Sequence, residues 1–335
     1  MKLLVVILNY RVTDLTIDCL RSLAGRIERV PGARVAVCEN GTGGDAADRL
    51  RRAIDENGWG SWVDLTLVHP NRGFCGGNNL IVRQALASAD PPEYVLLLNA
   101  DTLVKDGALE TLVDFMDCHP RAGIAASQLL NADGSLQESA FRFLGVASEL
   151  HAAVKLRVVS KLLSPWLTPP MPTEESPVEW VCGASMILRR TMLEEIGLLD
   201  EGLYTYFDDV DICLRARRAG WETWFVPRSE VVHLEGASTG LEQREVKRRP
   251  AYWFQARRRF FLKSYGPLYT ALADAASIAG RALWQVRRRI QGRPDTDAPH
   301  MLADSIRHSV FREGFRVTEV ENPAMPRSQQ ASSPR

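Results

Sequence analysis

Two adjacent aspartates, Asp208 and Asp209, sit behind an aromatic cluster of Tyr204, Tyr206 and Phe207. They open a stretch in which Val210, Cys213, Leu214 and Ala216 recur at helical spacing. Acids in a first turn are favoured by the helix dipole, by about 0.3–1 kcal/mol each, so a capping role accounts for them. Yet two like charges side by side cost repulsion, and a general base taking a proton from an attacking hydroxyl is a use that would justify it. A second carboxylate, Asp101, ends the apolar run Tyr94–Leu98 through Asn99-Ala100-Asp101-Thr102. A carboxylate there can cap turn amides. It can equally face Mg²⁺, which takes one or two protein carboxylates and fills its shell with phosphate oxygens and water. His233, in "EVVHLEG", would complete such a Mg²⁺ or Mn²⁺ shell together with Asp101 and a diphosphate, although a single histidine near a strand end also serves structure alone. The fourth feature is "NRGFCGGNN", Asn71 to Asn79, with glycines at 73, 76 and 77. It leads into a helix whose first amides suit phosphate. It lacks the GK[ST] ending of a P-loop and the spacing of the dinucleotide fingerprint, and a plain turn before a helix is the alternative.

These residues need elements to hold them. The 335-residue chain favours one large domain or one with an appendage. A zero formal net charge selects no partner class, and a composition 45% apolar and 24% charged is that of a globular core. Six cysteines without a CxxC pair speak against a zinc knuckle and for thiols in a reducing, cytoplasmic compartment. The apolar run Leu3–Leu8 is shorter than a signal-peptide core and reads as a first buried strand. No stretch is apolar for the ~18 residues a membrane span requires.

Along the first half, strands and helices alternate: "LLVVIL", a helix from Thr13 with Thr13 as its cap, "ARVAVCEN", a helix over Asp45–Gly58, "WVDLTLVH", a helix from Gly76, "YVLLL", a helix ended by Pro120, and "AGIAASQLL". Such alternation implies a doubly wound, mostly parallel sheet flanked by helices. Ligands then bind beyond the carboxyl ends of the strands. Four of those ends are polar: Asn9-Tyr10-Arg11, Glu39-Asn40-Gly41, His69–Gly73 and Asn99–Asp101. Aligned on one edge, they make a cleft. The second half is expected to hold a proline-rich surface loop over Ser164–Pro177, a strand over "WVCGASMILRR", two short strands "ETWFVP" and "EVVHLEG", and a helix from Tyr252 to about Ile290.

In order and wording, these segments resemble the family 2 glycosyltransferases, inverting enzymes of the GT-A fold. "VVILNYR", "VCENGTGGD", "NRGFCGGNN", "LLLNADT", "CGASMILRR", "GLLDEGLYTYFDDVDICLRARRAGW" and "VVHLEGAST" follow the family's sequence of motifs over about residues 3–265. The resemblance implies a nucleotide-diphosphate sugar donor and a divalent metal, Mg or Mn, held by Asp101 and His233. It implies Asp209 as the base, with Asp208 beside it. Asn9, Tyr10, Arg11, Glu39 and Asn40 fall on the nucleoside side. Gly73, Asn78, Asn79 and Asn99 line the nucleotide-sugar pocket, and Trp180, Gly183 and Ala184 lie on the acceptor or sugar side. Two positions depart from the usual pattern: Asn99 replaces the first Asp of the DxD motif, and Asp208 replaces the Glu of the Glu-Asp pair. The "NAD" variant and the His-x-x-x-x-Ser-Thr-Gly ending resemble the rhamnosyltransferase-like branch, which implies dTDP-rhamnose as donor and a glycan or polyprenyl-linked glycan as acceptor, in cell-surface polysaccharide synthesis. A non-catalytic nucleotide-sugar-binding module is the rival expectation; intact Asp101, Asp209 and His233 count against it.

The expected division is a catalytic domain over residues 1–250, with a nucleotide-sugar half to 130 and an acceptor half from 131. A basic amphipathic helical extension follows over 251–293, and a poorly ordered tail over 294–335 carries at most a short helix near 301–312. In the extension, Leu268, Leu272, Ala275, Ala279, Leu283, Val286 and Ile290 repeat at helical spacing beside Arg287-Arg288-Arg289. That pattern suits either an interfacial helix in peripheral contact with the inner face of a membrane or a helix packed on the catalytic domain. No nucleic-acid recognition motif is present.

Overall fold

The structure is a computed structural model and describes residues 1–156, 167, 170–234 and 247–322. Its strands are β1 (Leu3–Asn9), β2 (Ala33–Asn40), β3 (Val63–Val68), β4 (Tyr94–Asn99), β5 (Thr102–Val104), β6 (Ala122–Leu130), β7 (Ala140–Phe141), β8 (Ser176–Val178), β9 (Trp180–Val181), β10 (Ser185–Arg189) and β11 (Glu222–His233). Among the described residues, nine of them form one sheet in the order β3-β2-β1-β4-β10-β6-β11-β5, with β8 also on β11. Strands β1 to β4 are mutually parallel, as are β6 and β11. Three strands run the other way: β10 between β4 and β6, and β5 and β8 on β11. The sheet is mostly parallel with helices on both faces, as expected.

The uninterrupted apolar runs follow from burial on both faces. Leu3, Val5 and Ile7 of β1 meet Ile17, Leu20 and Leu23 of helix Thr13–Leu23 on one side. Leu4 and Val6 on the other side share a core with Ile81, Val82, Phe260 and Phe261. The register sets Asn9 opposite Glu39 and Leu8 opposite Asn99, so the polar strand ends share one edge. At the far end of the sheet His233 pairs with Thr102, and the Leu234 amide donates to the Asp101 carbonyl at 2.8 Å. The last strand thereby returns to the turn that ends β4.

Several expectations need correction. Thr13 is the first helical residue rather than the cap; Val12 occupies that place. The helix after the glycine loop begins at Gly73, three residues earlier than expected. "WVCGASMILRR" is two strands, β9 and β10, parted by Cys182–Ala184. "ETWFVP" and "EVVH" are one strand, β11, bulged between Val226 and Glu230. The short helix expected near 301–312 is present as two, Met301–Arg307 and Val310–Glu313, and Val320 donates its amide to the Gly202 carbonyl at 2.8 Å. Residues 323–335 of that tail, the Ser-Thr-Gly ending and much of the proline-rich loop lie outside the described residues.

The helix Ala251–Ile290 is broken by non-helical Gly266 ahead of Pro267. Its first half belongs to the main core through Ala256, Phe260 and Phe261. It also holds the segment leading to the aspartate pair: Arg259 and Lys263 both donate to Asp200, at 2.8–3.0 Å. Burial pushes the Asp200 carboxyl up, but these two cations more than offset it and hold it at about 2. Asp200→Asn is expected to lower stability by about 1–3 kcal/mol, the range for a charge-assisted bond whose partner is left behind. Because the folded-state value is depressed, the aspartate's contribution is present above the unfolded value of ~3.9 and is lost as pH falls toward about 2. Denaturant titrations of both proteins across acid pH should therefore converge at the low end; a constant difference would disprove the linkage.

Candidate functional site

The sheet edge brings Asp101 and His233 together, both buried, with Nε2 of the imidazole 3.5 Å from a carboxylate oxygen. The Asn99 amide lies 3.4 Å from the same ring nitrogen. On the other side, Nδ1 is 2.9 Å from the Gln137 side-chain oxygen, which accepts its proton. That bond leaves Nε2 as the nitrogen aimed at Asp101, the arrangement that orients metal-binding histidines. Two facing acceptors need a proton or a cation between them. One carboxylate and one imidazole at this separation suit neighbouring positions on an octahedral shell, where ligands at ~2.1 Å stand about 3 Å apart. Among the described residues no group of three or more His, Cys, Asp or Glu side chains could hold a metal. Such a corner depends on a ligand's own oxygens to complete the shell.

The second element is the aspartate pair on the first turn of helix Asp208–Arg218. Asp208 is buried, whereas Asp209 is half-buried and is the one an incoming hydroxyl can reach. The Asp209 carboxylate accepts the Val210 amide at 2.8 Å, and the Gly183 backbone lies beside it, offsetting part of the burial that pushes its carboxyl up. Burial pushes both carboxyls above their ordinary range, Asp208 the further because the Asp209 charge adds to it. Gly183-Ala184 spans the interval between Asp209 and the Asp101–His233 corner: the Asn99 amide donates to the Ala184 carbonyl at 2.9 Å. A Cβ on Gly183 would stand 3.6 Å from that of Asp209, ordinary van der Waals contact, which places this loop directly against the aspartate.

Three non-glycine residues just before the pair, Tyr204, Tyr206 and Phe207, adopt left-handed backbone with φ of 62–68°. Each costs about 1–3 kcal/mol and persists only where surroundings enforce it. Here they do. The Tyr204 carbonyl accepts the Cys75 amide at 3.2 Å, Tyr206 stacks on Tyr252, and Phe207 stacks on Phe260. Gly73, itself at φ 71°, lies under Tyr204; a Cβ there would come within 2.6 Å of the tyrosine carbonyl oxygen. The glycine loop and the base-bearing segment are thus one packed unit.

The remaining expected residues divide by what their side chains already do. Glu39 is buried and accepts the amides of Gly41 and Thr42 at 3.3 and 2.7 Å. Asn9 bonds Thr13, Thr16 and Thr42. Asn40 bonds Asn71, the Gly73 carbonyl and the Arg72 amide. Asn79 is committed to both backbone groups of Leu199 and to Glu201, and Asn78 to the Phe74 carbonyl. These amides shape the cleft from behind. Tyr10 and Arg11 pack against one another with 5.0 Å from guanidinium to ring, and Arg11 is exposed at the strand end. Trp180 stacks on Phe141 at 4.4 Å. Three contributors had no local sequence cue: Gln137 behind His233, Tyr252 against Tyr206, and Asn322, whose amide reaches the Asn71 carbonyl at 2.7 Å.

A large, mostly parallel sheet flanked by helices, with polar strand ends on one edge, is the architecture of a GT-A-type fold. Solved structures agree on that fold. GalNAc-T7 with UDP, GalNAc and Mn²⁺ superposes with a TM-score of 0.58 at 16% identity, over 92% of this chain and 54% of that one. The mannosyltransferase PcManGT from Pyrobaculum calidifontis, in complex with GDP-Man and Mn²⁺, gives 0.51 at 15% identity, over 93% and 87%. The sequence model of "Glycosyltransferase like family 2" matches residues 2–259, and the chain belongs to that family. It is 30% identical over 155 residues to the N-acetylglucosaminyl-diphospho-decaprenol L-rhamnosyltransferase of Mycobacterium tuberculosis (strain CDC 1551 / Oshkosh), covering 45% of this chain and 50% of that protein. It is 26% identical over 167 residues to rhamnosyltransferase WbbL of Escherichia coli (strain K12), covering 48% and 60%. The matches thus span between half and three fifths of these relatives' lengths.

Proposed function

We propose that the chain is an inverting glycosyltransferase. It moves a sugar, rhamnose from dTDP-rhamnose first among the candidates, to a hydroxyl of a glycan or polyprenyl-linked glycan in cell-surface polysaccharide synthesis. The observation that carries this reading is the short segment Gly183-Ala184, which lies against Asp209 on one side and on the other accepts the amide of Asn99, at the Asn99–Asp101–His233 corner, at 2.9 Å. The rhamnosyl donor and lipid-linked acceptor rest on the names of the two relatives. Asp209 accepts the hydroxyl proton as the oxygen attacks the anomeric carbon. The bond from that carbon to the donor diphosphate breaks on the opposite face, so configuration inverts. Asp101 and His233 would hold a divalent ion, which neutralises the departing diphosphate.

The test is a panel of nucleotide sugars, each with and without Mg²⁺ or Mn²⁺, read by thermal stabilisation and by nucleotide release. A deoxythymidine-linked rhamnose should stabilise the protein most, and only with metal present. In His233→Ala the metal-dependent part of donor affinity should fall about 10–100-fold, the usual cost of disturbing a metal shell. If no donor raises the melting temperature, the site assignment is wrong. A non-catalytic binding module would instead be stabilised by donor and never release nucleotide, even with acceptors supplied.

A further inference from the structure

After the break at Gly266, residues Pro267–Ile290 continue as helix for about 36 Å at 1.5 Å per residue. One side is buried through Thr270, Ala273, Ser277, Gly280 and Trp284. That side lies close on helix Val146–Val154, where a Cβ on Gly280 would come within 2.8 Å of the Ala153 Cβ. The opposite side carries Leu268, Leu272, Leu283, Val286 and Ile290, exposed by 76, 52, 49, 55 and 81%. Spaced by three, four and their sums, with Ala275 and Ala279 between them, they make one continuous apolar stripe. The helix therefore packs on the catalytic domain and still shows its apolar stripe to the outside. A stripe of this length is more than the scattered apolar residues normal on a surface.

Charge decides what it meets. From Pro267 to Arg293 the sequence holds five arginines and a single acid, Asp274. That acid is buried and bonded to Arg257 at 2.6 Å. At the helix C-terminus Arg289 falls on one shoulder of the stripe, one hundred-degree step from Ile290, while Arg287 on the other shoulder turns to the packed side and donates to the Lys155 carbonyl at 2.6 Å. Arg289 and Arg293 are exposed and have no carboxylate partner among the described residues. A second copy of this face would bring the same unmatched cations and no acid to answer them. An anionic lipid surface offers both an apolar layer and negative charge, with each basic residue near the surface worth ~1 kcal/mol. No helix among the described residues is long and apolar enough to cross a membrane.

We propose that residues Pro267–Ile290 dock edge-on into the interface of an anionic bilayer, with the leucine stripe in the acyl boundary and the arginine shoulder at the headgroups. The same helix, before its break, holds Asp200, Tyr206 and Phe207 beside the aspartate pair. Docking would present the cleft to acceptors carried in the membrane. This inference adds a partner to the transferase reading, and the two fail separately: donor stabilisation tests the site, vesicle binding tests the helix.

The experiment is flotation of the full chain with vesicles of phosphatidylcholine alone or mixed with phosphatidylglycerol, at low and high salt. Its companion is the triple variant Leu272→Glu, Leu283→Glu, Val286→Glu. These positions are exposed, so the variant should keep its melting temperature and donor-induced stabilisation. The wild-type chain should float with the mixed vesicles, release in high salt, and lose at least about tenfold in binding in the triple variant. Equal flotation of the two proteins would overturn the proposal. So would no flotation together with a wild-type dimer that the substitutions split, which would make the stripe a protein interface.

Discussion

Asp209→Asn is expected to lower sugar transfer by about 10²–10⁴-fold while leaving donor affinity unchanged, the signature of a lost general base. The isosteric amide keeps the bond from the Val210 amide but cannot take a proton. Transfer kinetics beside donor titration calorimetry check the two halves; unchanged transfer would end the assignment. The pair also fixes the pH dependence. Burial, and for Asp208 the neighbouring charge, push both carboxyls up. The two titrate as one coupled unit. The acid limb of the rate profile should therefore lie above the ordinary carboxylate value of ~3.9, with activity falling as pH drops through it. Asp208→Asn should leave this limb near its place, because Asp208, pushed up further, is still protonated and uncharged when Asp209 ionises. Stability runs the other way. Groups whose folded-state values are raised contribute fully below the unfolded value, and that contribution is lost as pH rises through the raised one. Asp208→Asn should thus be more stable than wild type at neutral pH, the stability cost of a site built for chemistry.

Gly73→Ala should damage both stability and turnover, although it adds one methyl group far from any reacting atom. Left-handed backbone at a non-glycine residue costs roughly 1–2 kcal/mol. The new Cβ would also stand 2.6 Å from the Tyr204 carbonyl oxygen, which is held in place by the Cys75 amide. Overpacking of that kind adds about 1–3 kcal/mol. Gly107→Ala is the matched control. It has a φ of 75° and nothing within 4 Å of a built Cβ, so it carries the backbone cost alone. The excess loss in Gly73→Ala over Gly107→Ala, by denaturant unfolding, measures the contact. Relief comes by shifting Tyr204–Phe207, and with it Asp209, so turnover should drop on the order of a hundredfold. Equal losses in both variants would mean the loop and the base are not packed as one unit.

What the sequence could show depended on distance along the chain. Strands β1, β2 and β4 were legible as runs buried on both faces, and their polar ends as one edge. The pairing of Asp101 with His233 was implied by the family resemblance, and the sheet register brings them together. Local reading failed where the cause was remote. Strand β11 looked like two because its bulge between Val226 and Glu230 carries Pro227 and Arg228, which interrupt the apolar alternation. β9 and β10 looked like one because Cys182–Ala184 has no breaker besides one glycine. Asn79 bonds Leu199 and Glu201, up to 122 residues away, and Asn40 bonds the Gly73 carbonyl 33 residues on, contacts with no local cue in the sequence. The apolar stripe Leu268–Ile290 was visible as a pattern. Whether it faced inward depended on Gly280 and Trp284 taking the packed side.

One hydrogen bond also bears on how the molecule is made. Asn322 reaches the Asn71 carbonyl across 251 residues, and Val320 reaches Gly202. At a synthesis rate of about 5–20 residues per second, tens of seconds separate the glycine loop's emergence from that of the residue that braces it. The first half of the sheet can assemble in that interval, yet the loop meets this brace only once residue 322 has been made. The aspartate-bearing segment, packed on the same loop, is on the same clock. A nascent chain that stops short of residue 322 would carry most of the sheet and a glycine loop without this brace.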